Sequence, residues 1–418
     1  MKNFVLMHLE SLNCNTFLNH LEWFPNMRRW GNEFCDYINY FSTATSTYMV
    51  LTDLMYGDMQ QFENASNLGD IFNIKPKKKT LMDRLREEGY STFDIWYGYN
   101  GEEAQEAQKL HDMLNVKGDV WIGDEERDFK KYLQNACKNH FAIFIDDNAS
   151  HISYVGKRVE LSGTIETKRQ EKYKAIDRTF GIMMQTLEIL DLLNDTVIII
   201  YGDHGEEFWT HELHEGYTHA IEPYYNMIHC PMYIKTCDGR KQCMVNDIIS
   251  TEDIYGITLS ALGIENAFKT KRKYAFSRNL YKNQIKKAFV FGKAYVVTNG
   301  EYSLMASGKG LALYNNCLDP DNHCNLLEFY IYKKNRIIYN SIFNNLISTH
   351  IKSVFNNATN EEIECNFAEM RDNLYNFIRK MGKIKGKIRL DKIDYNRVFA
   401  LQKMKCKYKV NYYRIVLQ

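Results

Sequence analysis

Nowhere in this 418-residue chain does an apolar run reach the roughly 18 residues that a membrane-crossing helix needs. The N-terminal stretch MKNFVLMHLESLN pairs a lysine with apolar residues, as an export signal does. Glu10 interrupts it early and no small-residue cleavage site follows, so it reads as a first strand. A charge excess is missing too. The net charge of +1 argues against a nucleic-acid surface covering the molecule. The ten cysteines contain no CxxC pair and no zinc-finger spacing, so reduced and mostly buried thiols are expected. No internal repeat is found. These absences together imply a soluble protein, with a cytoplasmic location expected.

What is present is ordinary globular composition, 45% hydrophobic and 25% charged. The length exceeds one compact core and implies a large domain with a smaller appendage. The segment TVIIIYGDHGEE, Thr196 to Glu207, is the most telling. Its β-branched apolar run is too short for a helix and apolar on both faces, the pattern of a buried parallel strand. Phe4 to Leu9 and Phe141 to Ile145 read the same way, ending in Glu10 and in Asp146-Asp147. Between them, Lys77 to Thr92 has helical spacing closed by Gly89, and Lys172 to Leu193 is a long amphipathic helix. Strands alternating with helices imply an α/β fold, a mainly parallel sheet sandwiched by helices. Ile248 to Gly263 reads as helical, and Ala288 to Leu313 as short antiparallel strands. Beyond Phe329 the chain looks mostly helical, so the expected division is a catalytic domain over 1–328 and a helical segment over 329–418. The former includes a small antiparallel subdomain at about 270–328.

Ligands in open α/β sheets bind at the carboxyl ends of strands, where Glu10 and Asp203-His204 both fall. A carboxylate beside an imidazole suits zinc or manganese. Thr45 to Gly57 is helix-like and opens with Ser42, Thr43, Thr45, Ser46 and Thr47. A helix N-terminus favours a phosphate or an ionised nucleophile, and the same hydroxyls also serve as capping residues. His151, in DDNASH, and His219, in HEGYTH, lie in loops on the same side of the sheet. His211 and His214 are spare candidates, while Glu206 and Glu207 either orient histidines or cap the next helix.

These blocks, in this order, resemble the alkaline phosphatase/sulfatase superfamily in its sulfatase-like branch, over at least residues 3 to 328. FVLMHLESLN is similar to the opening strand with its metal acid. TLMDRLREEGYST resembles the family's helix-to-strand segment, and AIDRTFGIMMQTLEILDLLNDTVIIIYGDHGEEF its most specific block. YVVTNGEYSLM and ALYNNCLDPDNHCNLLEF resemble the closing subdomain. The Cys or Ser of the C/S-x-P-x-R motif, converted to formylglycine in true sulfatases, has no counterpart near residue 47. The helix begins with threonines and the metal block reads Asp-His, both similar to phosphoethanolamine transferases and lipoteichoic acid synthases. The resemblance therefore implies a metal-dependent phospho-group transferase or phosphodiesterase working through a covalent phospho-threonine. It implies Thr47 as nucleophile, with Thr45 the alternative. Glu10, Thr47, Asp203 and His204 would hold a divalent metal, zinc or manganese. His151 and His219 would hold a second metal or the transferring phosphoryl oxygens. The implied partners are a phosphorylated donor and a glycan or lipid-linked acceptor, with no nucleic acid. Two other readings stand beside this one: a sulfatase-type ester hydrolase, and a non-catalytic glycan- or partner-binding protein.

Overall fold

The computed structural model describes residues 1–62, 74–97, 101–114, 116, 119–123, 126–151, 163–208, 210–211, 217–268, 271–280, 293–307, 310–327, 353–354 and 357–381. Among them eight strands form one sheet. Across the sheet they run Met244–Val245, Cys35–Tyr37, Met232–Lys235, Thr196–Gly202, Asn3–Leu9, Phe141–Asp147, Ser91–Tyr97 and Asp119–Gly123. Met232–Lys235 runs antiparallel to both its neighbours, and the other pairings are parallel. The three expected strands are present at the centre of the sheet and wholly buried.

Alternation along these strands builds two cores. Phe4, Leu6, Val197, Ile199 and Tyr201 face one of them, together with Met49, Val50, Leu54 and Met55 from the helix Thr47–Tyr56. Val5, Met7, Leu9, Ile198 and Ile200 face the other, under Tyr173, Ile176, Phe180 and Met184 of the helix Gly163–Ile189. That helix starts earlier and ends sooner than Lys172–Leu193. With side chains alternating by two, positions 4, 6, 8 and 10 share a face, as do 197, 199, 201 and 203. Glu10 and Asp203 thus emerge at adjacent strand ends on the side covered by the Thr47 helix. That helix stops at Gly57, whose left-handed backbone (φ +56°) turns its N–H back onto the carbonyls of Asp53 and Leu54. A Cβ there would stand 2.7 Å from the Tyr255 side chain, so the stop also permits close packing.

Ile248–Gly263 is divided rather than wholly helical. Ile249–Ser250 pairs with Tyr40–Phe41 as a two-stranded sheet, and the helix is Asp253–Leu262. The antiparallel sheet consists of Ala275–Asn279, Ala294–Thr298, Tyr302–Ser307 and Gly310–Asn315 in that order. Its first strand lies upstream of the expected 288 start. The helix Asn360–Met381 lies against it, with Phe377 5.0 Å from Phe276 and 5.8 Å from Tyr295 between ring centres. Tyr330, Tyr332, Lys333, Lys334 and everything after Met381 lie outside the described residues. No described helix is long and apolar enough to cross a membrane.

The expectation of reduced thiols is corrected. Cys35 and Cys243 form a disulfide, although 208 residues separate them. Cys35–Tyr37 pairs with Met244–Val245, and that non-local strand pairing brings the two sulfurs together. Of the remaining described cysteines, Cys137, Cys230 and Cys324 are buried, while Cys317 and Cys365 are exposed.

Candidate active site

The cluster begins with a turn. Ser11, just past Glu10, takes a left-handed conformation (φ 55°) and aims its N–H at Asp203 Oδ1, 2.9 Å away. The His204 N–H donates to the same oxygen at 2.7 Å. Asp203 Oδ2 is thereby left facing inward, buried and without a hydrogen-bond partner. Ser11 Oγ donates to Glu10 Oε1 at 2.8 Å, so one serine orients both carboxylates. Beyond Asp203, Gly205 runs so close to Asn226 that a Cβ would collide with its carbonyl.

Four of the expected residues meet here. Thr47 Oγ1 lies 3.1 Å from Glu10 Oε2 and 3.2 Å from His204 Nε2. His204 Nε2 lies 3.1 Å from Asp203 Oδ2 and 3.7 Å from Glu10 Oε1. Its Nδ1 is 2.8 Å from the Gly205 carbonyl, an acceptor that places the ring proton there and turns Nε2 toward the carboxylates. The alternative threonine faces elsewhere: Thr45 is buried and its hydroxyl donates to the Ile221 carbonyl at 2.8 Å. Neither threonine caps the helix, since the N-cap position belongs to Ser46.

His219 and His151 line the rim. The His219 ring centre is 4.6 Å from His204 and 5.3 Å from His151. Of the two acids left open, Glu206 holds His219 (Oε2 to Nδ1, 3.3 Å) and Glu207 holds His211 (Oε2 to Nδ1, 2.8 Å). His211 stacks on Tyr224 with ring centres 3.6 Å apart, bound up in its own packing. His214 lies outside the described residues. Glu10, Asp203 and His204 are fully buried, whereas Thr47, His151 and His219 are partly exposed, so the cluster opens on the threonine side.

One member was absent from the expected set. His8 Nε2 stands 3.3 Å from Asp203 Oδ2 and 3.6 Å from Glu10 Oε2. Its signal was present in the sequence: a histidine inside an apolar strand, two positions before Glu10 and therefore on the same face.

The donor set fits a divalent cation. His8, Glu10 and Asp203 each offer an atom within 4.8 Å of the others, all buried. Burial disfavours charge on His8 and His204, yet Asp203 with Asp146 for the first, and Asp203 with Glu10 for the second, raise both pKa values above the usual. Burial likewise opposes ionisation of Asp203, but His204 and His8 hold its carboxyl well below the usual range. Two carboxylates and two imidazoles are oxygen and nitrogen donors of the kind that hold a divalent cation.

A mainly parallel sheet between helices, with this cluster at its strand ends, defines an α/β fold of the kind that binds its ligands at the carboxyl ends of strands. The sulfatase family model matches residues 2–264, and the chain belongs to the sulfatase family. No curated protein matches it by sequence. Among solved structures, a 2-O GAG sulfatase aligns with a TM-score of 0.61 and 14% identity, covering 86% of this chain and 94% of that one. The phosphonate monoester hydrolase of Silicibacter pomeroyi aligns at 0.56 with 12% identity, covering 76% and 89%. The lipoteichoic acid synthase LtaP of Listeria monocytogenes aligns at 0.53 with 15% identity, covering 75% and 85%.

Proposed function

We propose that the protein is a metal-dependent phospho-group transferase or phosphodiesterase in which Thr47 is the nucleophile. The observation that carries this is the position of Thr47 Oγ1. It sits at the first turn of its helix, partly exposed, 3.1 Å from Glu10 and 3.2 Å from His204. Glu10, Asp203 and His204 would hold the cation, with Thr47 completing the set. A bound zinc or manganese ion would lower the hydroxyl pKa and neutralise charge on phosphorus-bound oxygens.

The chain's own groups supply the rest. Thr47 Oγ attacks phosphorus in line with the leaving group, at a helix N-terminus whose positive dipole end favours the developing anion. The phosphorus–leaving-group bond breaks as the threonine–phosphorus bond forms, and a second acceptor, water or a hydroxyl, later displaces the threonine. Burial, then the charges of His204 and His151, depress the pKa of His219 to about 3, so its ring is neutral at pH 7. Burial pushes Glu206 up to about 8, and its Oε2 lies 3.3 Å from His219 Nδ1. His219, with His151 beside it, would face the transferring phosphoryl oxygens or a second cation. A phosphorylated donor and a glycan or lipid-linked acceptor are the partners this reading takes from the resemblance.

Sulfuric ester hydrolysis is the second reading, favoured by the family match and the 2-O GAG sulfatase alignment. Against it stands a threonine, not a cysteine or serine, at the head of the helix. Metal analysis of the purified protein, with rates on p-nitrophenyl phosphate, bis-p-nitrophenyl phosphate and p-nitrophenyl sulfate, separates the two. Phosphate-ester turnover that disappears with chelation is expected. Faster turnover of the sulfate than of either phosphate would overturn the reading.

A further inference from the structure

Behind the cluster lies a row of buried ionisable groups that the proposed reaction does not use. His8 Nδ1 is 2.7 Å from Asp146 Oδ1, and Asp146 Oδ2 is 3.0 Å from His111 Nε2. His111 Nδ1 is 2.6 Å from Asp94 Oδ2. The row spans three adjacent strands and the helix above them. His8 is level with Asp146, Asp146 is level with Trp96, and Asp94 lies two residues before Trp96 on the same face. His111 descends from the helix Gly101–Met113. None of the four side chains is more than 1% exposed.

The bonding pattern fixes protons. A carboxylate only accepts, so each oxygen of Asp146 takes an N–H, one from His8 and one from His111. His8 must therefore carry its proton on Nδ1, and its neutral form presents the Nε2 lone pair to Glu10 and Asp203. That nitrogen is buried and makes no hydrogen bond. Aromatic rings hold the planes: Tyr201 stacks on His8 at 5.6 Å, and Trp96 packs edge-on to His111 at 4.3 Å. A row of buried ions is a poor source of stability compared with apolar side chains of the same volume. Its geometric product is one aimed nitrogen.

We propose that His111, acting through Asp146, is the positioning residue that fixes the tautomer and ring plane of His8 as a ligand of the catalytic cation. This rests on the metal-centre reading above and adds to it an outer partner, His111, on a separate element. Removing such an outer partner typically weakens metal binding about ten- to a hundred-fold.

The test is a metal titration of chelator-stripped protein with Zn²⁺ or Mn²⁺, read calorimetrically, for wild type, His8→Ala, Asp146→Asn, His111→Gln and the double variant His8→Ala/Asp146→Asn. Each single variant should bind more weakly, by about ten- to a hundred-fold for Asp146→Asn. The double variant should bind no more weakly than His8→Ala, because Asp146 acts through His8. A merely structural role would instead give additive losses, and that result overturns the proposal. Should the substitutions impair folding, wild type alone decides: with ¹¹³Cd²⁺ and ¹⁵N-labelled histidine, a cadmium–nitrogen coupling to His8 Nε2 is expected, and its absence overturns the assignment. Wild-type protein that binds no metal would overturn the metal-centre reading as well. Metal binding indifferent to His8→Ala would overturn this proposal alone.

Discussion

Arg278 and Asp53 are both fully buried, with the guanidinium gripping the carboxylate through two contacts of 2.7 and 3.0 Å. Arg278 belongs to the antiparallel sheet and Asp53 to the helix headed by Thr47. The same guanidinium donates to the carbonyls of Thr43 (3.1 Å) and Gln60 (2.9 Å), which flank that helix. The smaller sheet therefore locks the element that aims the proposed nucleophile.

Breaking this pair should be costly because one charge would stay behind without its partner. Arg278→Ala is expected to lower stability by about 3–5 kcal/mol, read from urea denaturation. Arg278→Met with Asp53→Leu should restore much of that loss while turnover stays impaired, since the carbonyls of Thr43 and Gln60 lose their donor. A loss under about 1 kcal/mol for the single variant would show that the pair is not a lock.

Thr47→Ala should abolish turnover and leave the fold intact, since Glu10, Asp203 and His204 do not depend on its hydroxyl for their place. Thr45→Ala should keep turnover and cost about 1 kcal/mol, through its lost bond to the Ile221 carbonyl. Mass spectrometry of protein quenched during turnover should find the added group on Thr47. Finding it on Thr45 would move the nucleophile by two residues.

Stability should fall as pH rises through the alkaline range. Burial disfavours the His111 cation, but Asp94 and Asp146 outweigh that and raise its pKa from 6.5 to about 9. A raised folded-state pKa gives stabilisation that is complete below pH 6.5 and lost as pH climbs through about 9. The urea midpoint of the wild type should decline across that window, and His111→Gln should flatten the decline. Equal slopes for both proteins would contradict the assignment.

Reductant should destabilise the protein. The Cys35–Cys243 bridge closes a 208-residue interval, and losing such a link costs about 2–5 kcal/mol. Cys35→Ser should lower the melting temperature, and dithiothreitol should then have no further effect. Identical melting of wild type with and without dithiothreitol would remove the bridge from the account of stability.

Much of this was legible in the chain because it is local. The central strands, the helix stop at Gly57 and the convergence of Glu10 with Asp203 follow from periodicity and from where apolar runs end. His204 was marked by its place beside Asp203 at a strand end, and Thr47 followed from the resemblance. His8 was equally readable from its strand face but stood inside a run whose apolar neighbours masked it. The partners of Asp94, Asp146 and Arg278 lie 17, 138 and 225 residues away, and no spacing rule connects such pairs. The disulfide was hidden for the same reason. That Thr45 turns its hydroxyl to the Ile221 carbonyl, 176 residues away, was hidden in the same way.

The centre hangs on counting by twos. Glu10 follows Phe4, Leu6 and His8 on one side of its strand, and Asp203 follows Val197, Ile199 and Tyr201 on the neighbouring strand. Exchanging one aliphatic residue for another along either strand leaves both carboxylates where they are. Deleting a single residue turns one of them to the opposite side of the sheet. In this chain the length of the two strands therefore matters more to the centre than the identity of their aliphatic residues, and a one-residue gap between Phe4 and Glu10 would disturb it more than many substitutions.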